Sequence, residues 1–243
     1  MRKLIADLHT HTIVSGHAYG TIRENAQVAA QRGLEILGCT EHAPGIPGTC
    51  DPFYYMNVKM IPDTIYNVKI LIGSEINVMN DGTLSLEEKL IQKLDYAIAG
   101  IHGVCYEDAG REKNTDNLIE CMKHPRVKIV SHPDDDHTPL NYERLVQAAK
   151  EYAVALEVNN SSLIKKYSRL NCYENYRIML KLCEQYRVPI IVNTDAHDPD
   201  AVGEFTLAME LLDELKFDEE LILNNDREKL LKFILSERTR FTI

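Results

Sequence analysis

The chain has no surplus of positive charge, no CxxC pair, no Pro- or Ser-rich linker and no long apolar run. Each absence removes a class of protein. Its 37 acidic against 27 basic side chains leave a net charge of −10, which disfavours nucleic acid and anionic lipid as partners. No stretch approaches the roughly 18 consecutive apolar residues that span a bilayer. The opening run through Leu8 is too short for a signal peptide. Six cysteines without CxxC spacing read as reduced thiols of a cytoplasmic protein. Twelve glycines and nine prolines are too few for collagen-like or low-complexity architecture. What remains is 243 residues, 44% apolar and 26% charged, enough for a sizeable core and undivided by any linker. The expectation is a single domain over residues 1–243.

Short apolar runs alternate with longer helical patterns. Strands are expected at Lys3–Leu8, Glu35–Thr40, Val68–Ser74, Asp95–Gly100, Val127–Ser131, Val154–Val158 and Pro189–Thr194. Most are near-continuous Val, Ile, Leu and Ala, the composition of parallel strands buried on both faces. Helices are expected at Ala26–Arg32, Ser85–Leu94, Thr115–Lys123, Asn141–Tyr152, Cys172–Tyr186, Ala201–Leu215 and Arg227–Glu237, the first preceded by a Thr21/Glu24 capping box. Strand starts 27 to 35 residues apart match βα units, and seven of them suggest a closed or nearly closed α/β barrel; an open doubly wound sheet is the alternative. Two segments break the rhythm. Residues Ala43–Tyr66, with four prolines and Phe53-Tyr54-Tyr55, form a long loop that either covers a site or merely packs on the surface. Asn80-Asp81-Gly82 signals a type I′ hairpin and a small ribbon.

The histidines are not scattered. Six of the nine fall within four residues of an expected strand end, where random placement would put about one. His9 and His11 follow the first strand, His42 the second, Glu75 the third, His102 the fourth, His132 the fifth, and Asp195 and His197 the seventh. Parallel barrel strands all end on one face, so these groups converge. Imidazoles and carboxylates brought together without Lys or Arg are ligands for transition metals, and so many imply two or three ions. A His-rich set favours Zn, Mn or Fe over Mg or Ca. His17 is weaker by position alone; His124 reads as a helix-end residue and His137 as part of a solvated acidic loop.

Asp7-Leu8-His9-Thr10-His11, Gly16-His17-Ala18-Tyr19, Thr40-Glu41-His42, Gly73-Ser74-Glu75, Ser131-His132-Pro133-Asp134 and Asn193-Thr194-Asp195-Ala196-His197 together resemble the polymerase-and-histidinol-phosphatase (PHP) superfamily, most nearly its YcdX-type phosphatases. The resemblance runs from residue 3 to about 215. It implies a distorted seven-stranded (β/α)7 TIM-like barrel with three divalent ions. By this likeness one ion is held by His9, His11, Glu75 and Asp195, a second by Glu75, His102 and His132, and a third by His17, His42 and His197. Asp7 is the candidate outer partner for an imidazole N–H. The implied reaction is hydrolysis of a small phosphomonoester by a hydroxide shared between two ions. Histidinol-phosphate phosphatase activity is the alternative within the class, and an amidohydrolase the alternative outside it. Beyond the hydroxide no catalytic residue is assigned. Asn159, Asn160, Lys165 and Lys166 are loop candidates for substrate contact, and Phe53–Tyr55 for substrate choice. Assembly into a homo-oligomer is left open.

Overall fold

The computed structural model describes residues 3–165 and 167–236; Lys166, and Glu237 at the end of the last expected helix, lie outside the described residues. In chain order the elements are β1 (Ala6–Asp7), α1 (Ile22–Gln31), β2 (Ile36–Cys39), β3 (Thr64–Ile65), β4 (Val68–Ile72), β5 (Glu75–Asn77), α2 (Glu88–Ile91), β6 (Ala97–Gly100), α3 (Arg111–Met122), β7 (Val127–Val130), α4 (Tyr142–Glu151), β8 (Ala155–Asn159), α5 (Asn160–Ile164), α6 (Cys172–Tyr186), β9 (Ile190–Asn193), α7 (Thr206–Leu215) and α8 (Arg227–Leu235). This is an α/β fold with parallel strands. Hydrogen bonding sorts them into a four-stranded sheet, β1-β2-β4-β3, and a five-stranded sheet, β5-β6-β7-β8-β9. All pairs are parallel except β3 with β4. Single bridges, His42 to Glu75 and Thr10 to Ala196, link the two sheets just past the strand ends.

The expected third strand, Val68–Ser74, is β4, which stops at Ile72. After a break at Gly73-Ser74 a further strand follows, so that β4 pairs in the first sheet and β5 in the second. A Cβ at Gly73 would lie 2.8 Å from the Thr40 methyl and 3.0 Å from the Tyr96 ring, so only glycine lets the chain cross here. The break delivers Glu75 to the start of the second sheet.

Side chains from the strands divide between two apolar clusters, as alternation along a strand requires. The larger packs strands against the helices. The smaller takes Ala6, Ile36, Leu71, Ile98, Ile129, Ala155 and Ile191, one from each of seven strands, together with Leu230 and Ile234 of α8.

The helices follow their local signals with shifted boundaries. The Thr21 hydroxyl accepts from the Glu24 N–H and the Glu24 carboxylate from the Thr21 N–H, a closed capping box that starts α1 at Ile22 rather than Ala26. Helix α6 spans the expected residues. Helix α7 begins at Thr206, because Asp198 caps a separate 3-10 turn over Pro199–Ala201. The expected Ser85–Leu94 helix is only the single turn α2. The Asn80-Asp81-Gly82 turn is not type I′. Of the three only Gly82 has positive φ (81°), and its N–H bonds to Met79 O, giving a type I turn closed by a left-handed glycine and a single Val78–Leu84 bridge. No helix among the described residues is long and apolar enough to cross a membrane.

Candidate metal centre

All nine residues singled out by strand-end position and resemblance lie in one connected cluster at the strand C-termini. Glu75 is its hub. One carboxylate oxygen, Oε1, lies 2.8 Å from His132 Nε2 and 3.1 Å from His102 Nε2; the other, Oε2, lies 2.9 Å from His42 Nδ1 and 3.3 Å from His9 Nε2. Asp195 Oδ1 is 3.1 Å from His11 Nε2 and 3.5 Å from His9 Nε2. His197 and His17 extend the cluster outward, their Nε2 atoms 3.1 Å apart. Three groups bring one ligand atom each to within 4.8 Å of one another: His9, His11, Glu75 and Asp195; His42, Glu75 and His102; and His11, His42 and His197. His124 and His137 stand apart. His124 pairs with Glu88 at 2.8 Å and His137 with Asp135 at 2.7 Å.

Close packing is achieved by backbone means. A Cβ at Gly100 would fall 2.3 Å from Ser131 Oγ and 3.1 Å from Glu75 Oε1, so glycine is what admits the carboxylate. His132 (φ 30°) and Asp195 (φ 52°) both hold the left-handed backbone that L-residues disfavour by roughly 1–3 kcal/mol. The surrounding hydrogen bonds hold them there, including His132 N–H to Glu157 Oε2 at 2.8 Å.

The outer ring nitrogens are tied down. His9 Nδ1 meets Glu157 Oε1 at 2.8 Å, His102 Nδ1 meets Asn77 Oδ1 at 2.8 Å, His17 Nδ1 meets Ser15 O at 3.1 Å, and His197 Nδ1 meets Asp195 O at 2.9 Å. The Ser15 hydroxyl donates to Glu41 Oε2 at 2.6 Å, so it accepts from His11 Nδ1 at 3.1 Å. Because these Nδ1 atoms face acceptors they carry the proton, and the Nε2 lone pairs are left for the interior. His42 is turned the other way, with Nδ1 inward.

Asp7 does not serve an imidazole N–H as expected. Its carboxylate accepts instead from Thr194 N and Oγ1 and Gly203 N, clamping the end of β9 to β1. Burial pushes it up to about 6 against those hydrogen bonds. The role expected of Asp7 falls to Glu157, which was not anticipated. Glu157 also accepts from Asn193 Nδ2 at 2.9 Å and Asn159 Nδ2 at 3.0 Å. Its signal was a lone carboxylate within the apolar run of β8.

The electrostatics are those of a ligand set. Burial would raise the Glu75 carboxyl, but His102, His9 and His42 override it and hold it well below the usual range. Burial likewise opposes Asp195, and His9 and His11 hold it low. Burial, reinforced by His42 and His197, keeps His11 well below the ordinary imidazole value; burial and Arg169 lower His132. His9 alone is raised, since Glu157, Glu75 and Asp195 outweigh its burial. The test of fit is what the polar atoms lack. His9 Nε2, His11 Nε2, His42 Nδ1, Glu75 Oε2 and Asp195 Oδ1 are all buried and face one another at 2.9–3.6 Å, yet none makes a well-formed hydrogen bond. Polar groups taken from water without partners cost free energy, and atoms of this type aimed at common space suit a divalent transition metal.

The cluster opens into a cavity of about 690 Å³, lined by His17, His42, His102 and His132 and also by Ile46, Pro47 and Val104. Arg169, from the stretch between α5 and α6, is its one Lys or Arg side chain among the described residues; Nη1 stands 3.3 Å from His132 Nδ1 and 3.5 Å from Asp134 Oδ1. No motif marks Arg169 in the sequence. The Ala43–Tyr66 loop reaches the cavity through Ile46 and Pro47, not through Phe53–Tyr55. Phe53 is exposed, and Tyr55 is buried with its hydroxyl 2.9 Å from Ser74 Oγ. Asn159 Nδ2 reaches Asp195 Oδ2 at 3.4 Å, Asn160 Oδ1 accepts from Ala208 N, and Lys165 lines a smaller adjoining hollow with His197.

Over 236 residues the chain is 40% identical to a probable phosphatase of Clostridium novyi (strain NT), covering 97% of this chain and 96% of that one. Over 240 residues it is 39% identical to a probable phosphatase of Thermoanaerobacter sp. (strain X514), covering 98% and 97%. The structure superposes with a TM-score of 0.61 on a histidinol phosphate phosphatase of Lactococcus lactis solved with zinc, L-histidinol and phosphate. That match has 18% identity and covers 88% of this chain and 94% of that one, so it bears on the fold alone. The PHP domain model matches residues 7–237, nearly the whole length, and the chain therefore belongs to the PHP domain family.

Proposed function

We propose that the protein is a metal-dependent phosphatase acting on a small phosphomonoester. The observation that carries this is the convergence of five buried nitrogen and oxygen atoms without well-formed hydrogen bonds beside a cavity lined by Arg169. The probable-phosphatase relatives support it. In this reading His9, His11, Glu75 and Asp195 hold one ion, Glu75, His102 and His132 a second, and His17, His42 and His197 a third, with zinc favoured and Mn or Fe also suited to the donors. Bound ions supply a water that ionises near neutral pH, shared between two of them, and positive charge facing the phosphoryl oxygens.

The chain's own residues do the rest. Arg169 binds and orients a phosphoryl oxygen, with Asp134 holding its guanidinium in place. Glu157 and Ser15 keep His9 and His11 in the tautomer that presents Nε2 inward. Glu75, with two oxygens facing different histidines, suits a bridging ligand. The two sheets, linked by bridges at Glu75 and Ala196, form the distorted seven-unit barrel in this proposal, and one domain carries the site in the cytoplasm. The reaction is tested by metal analysis of the purified protein and by hydrolysis of an aryl phosphate. Two to three ions per chain and turnover are expected; no turnover after reloading with Zn, Mn or Fe in turn overturns the proposal.

A further inference from the structure

The cavity is far larger than a phosphoryl group needs, and its lining is of two kinds. The histidines and Arg169 account for the phosphoryl end. Ile46 and Pro47, from the loop after β2, Ile101 and Val104, from the loop after β6, and Leu118 and Leu140 supply an apolar wall to the same space. Val104 is 67% exposed. Among the described residues the other titratable lining groups away from the metal cluster are Asp134, Asp135 and His137, and Arg169 is already beside Asp134 and His137 beside Asp135. Among these residues a second phosphate or a carboxylate on the substrate would meet two carboxylates whose basic neighbours are already engaged.

We propose that this apolar wall is the leaving-group subsite, and that the substrate is the phosphomonoester of an alcohol with an aryl or branched-alkyl body and no second anionic group. The inference rests on the phosphatase reading and adds the substrate class. In the step it serves, the oxygen of water forms the new P–O bond and the ester P–O bond breaks. The electron pair leaves on the alcohol oxygen, which takes up the proton that water gives up. The apolar body stays against Ile46 and Val104 throughout, excluding bulk water from that side of the phosphorus.

The test compares kcat/KM for 2-phenylethyl phosphate, glycerol 3-phosphate and ethylene glycol bisphosphate, all esters of alkyl alcohols, on the metal-loaded protein. It adds calorimetric binding of 2-phenylethylphosphonate and methylphosphonate, which needs no turnover. The phenylethyl ester is expected to lead glycerol 3-phosphate by about tenfold or more, with the bisphosphate poorest. The phenylethylphosphonate is expected to bind correspondingly tighter than methylphosphonate. In Val104→Asp the preference should shrink to within about twofold. Equal turnover of the three esters overturns the subsite while leaving the phosphatase reading intact. If no ester is hydrolysed, the phosphatase reading fails, and the phosphonates still decide the subsite: equal or absent binding overturns it.

Discussion

The two ends of the strands are built from opposite materials. At one end Ala6, Ile36, Ile98, Ile129 and Ile191 meet Leu230 and Ile234 of α8 in an apolar cluster whose one titratable member is the buried Tyr96. At the other end, past the same strands, buried imidazoles and carboxylates crowd together with five atoms lacking well-formed hydrogen bonds. The apolar end gains free energy by burial, about 25 cal/mol for each Å² of apolar surface. The polar end spends some of it, through desolvated charge and two left-handed backbones, to keep donors where water would otherwise scatter them. Stability and chemistry are thus segregated along the strand axis, and a substitution should reveal which end it touches.

The sharpest test of that division is at the polar end. Asp195→Ala removes one arm of the His9, His11 and Glu75 group. It is expected to lower activity about a thousandfold or more and to reduce bound metal, with circular dichroism unchanged. Full metal content in an inactive variant would mean the ligand assignment is wrong. At the apolar end, Leu230→Ala should cost about 2–5 kcal/mol in urea unfolding, because the side chain is fully buried. The folded fraction should keep its metal stoichiometry and kcat, and a parallel loss of both would break the comparison.

Between these extremes lies Glu157→Gln. It exchanges a carboxylate that accepts four hydrogen bonds for an amide that must donate some of them. Metal affinity should fall about 10–100-fold by competition with a chelator. Acid sharpens the picture further. His9 is raised above its ordinary 6.5 in the metal-free protein by the carboxylates around it, so its proton is present below that raised value and must leave when metal binds. Apparent affinity should therefore climb by about tenfold per pH unit up to that value and then level off. Calorimetry in buffers of different ionisation enthalpy should register the released proton. The smallest expected effect is His124→Ala, which loses a peripheral pair with Glu88 and the hydrogen bond its Nδ1 accepts from Arg126 N–H, and should shift stability by about 1 kcal/mol or less in thermal unfolding.

The strand pattern was readable because residues buried on both faces have nowhere to hide polar side chains. The ligand candidates were readable because histidine is rare and strand ends are few. What escaped notice depends on three-dimensional partners. Asp7 and Glu157 are both lone carboxylates in apolar strands two residues or fewer from expected strand ends, and spacing cannot say which one turns toward an imidazole. Asp7 turns to the Thr194 and Gly203 backbone, while Glu157 reaches His9 across the interior. Arg169 sits in irregular chain, where no periodicity exists to give it a direction. The expected third strand ends at Ser74, and nothing in the composition of Glu75-Ile76-Asn77 marks it as a further short strand belonging to the other sheet.

The break at Gly73-Ser74 sets the order in which the molecule can become competent. Glu75 stands at the seam, and the atoms it gathers come from both sides: His9 and His42 follow strands of the first sheet, His102 and His132 strands of the second. A nascent chain that has completed only its first sheet, which ends at Ile72, still lacks the Glu75 hub. The full set of donors is deferred until Asp195 and His197 are in place, when a misplaced ion can no longer pin a half-formed architecture.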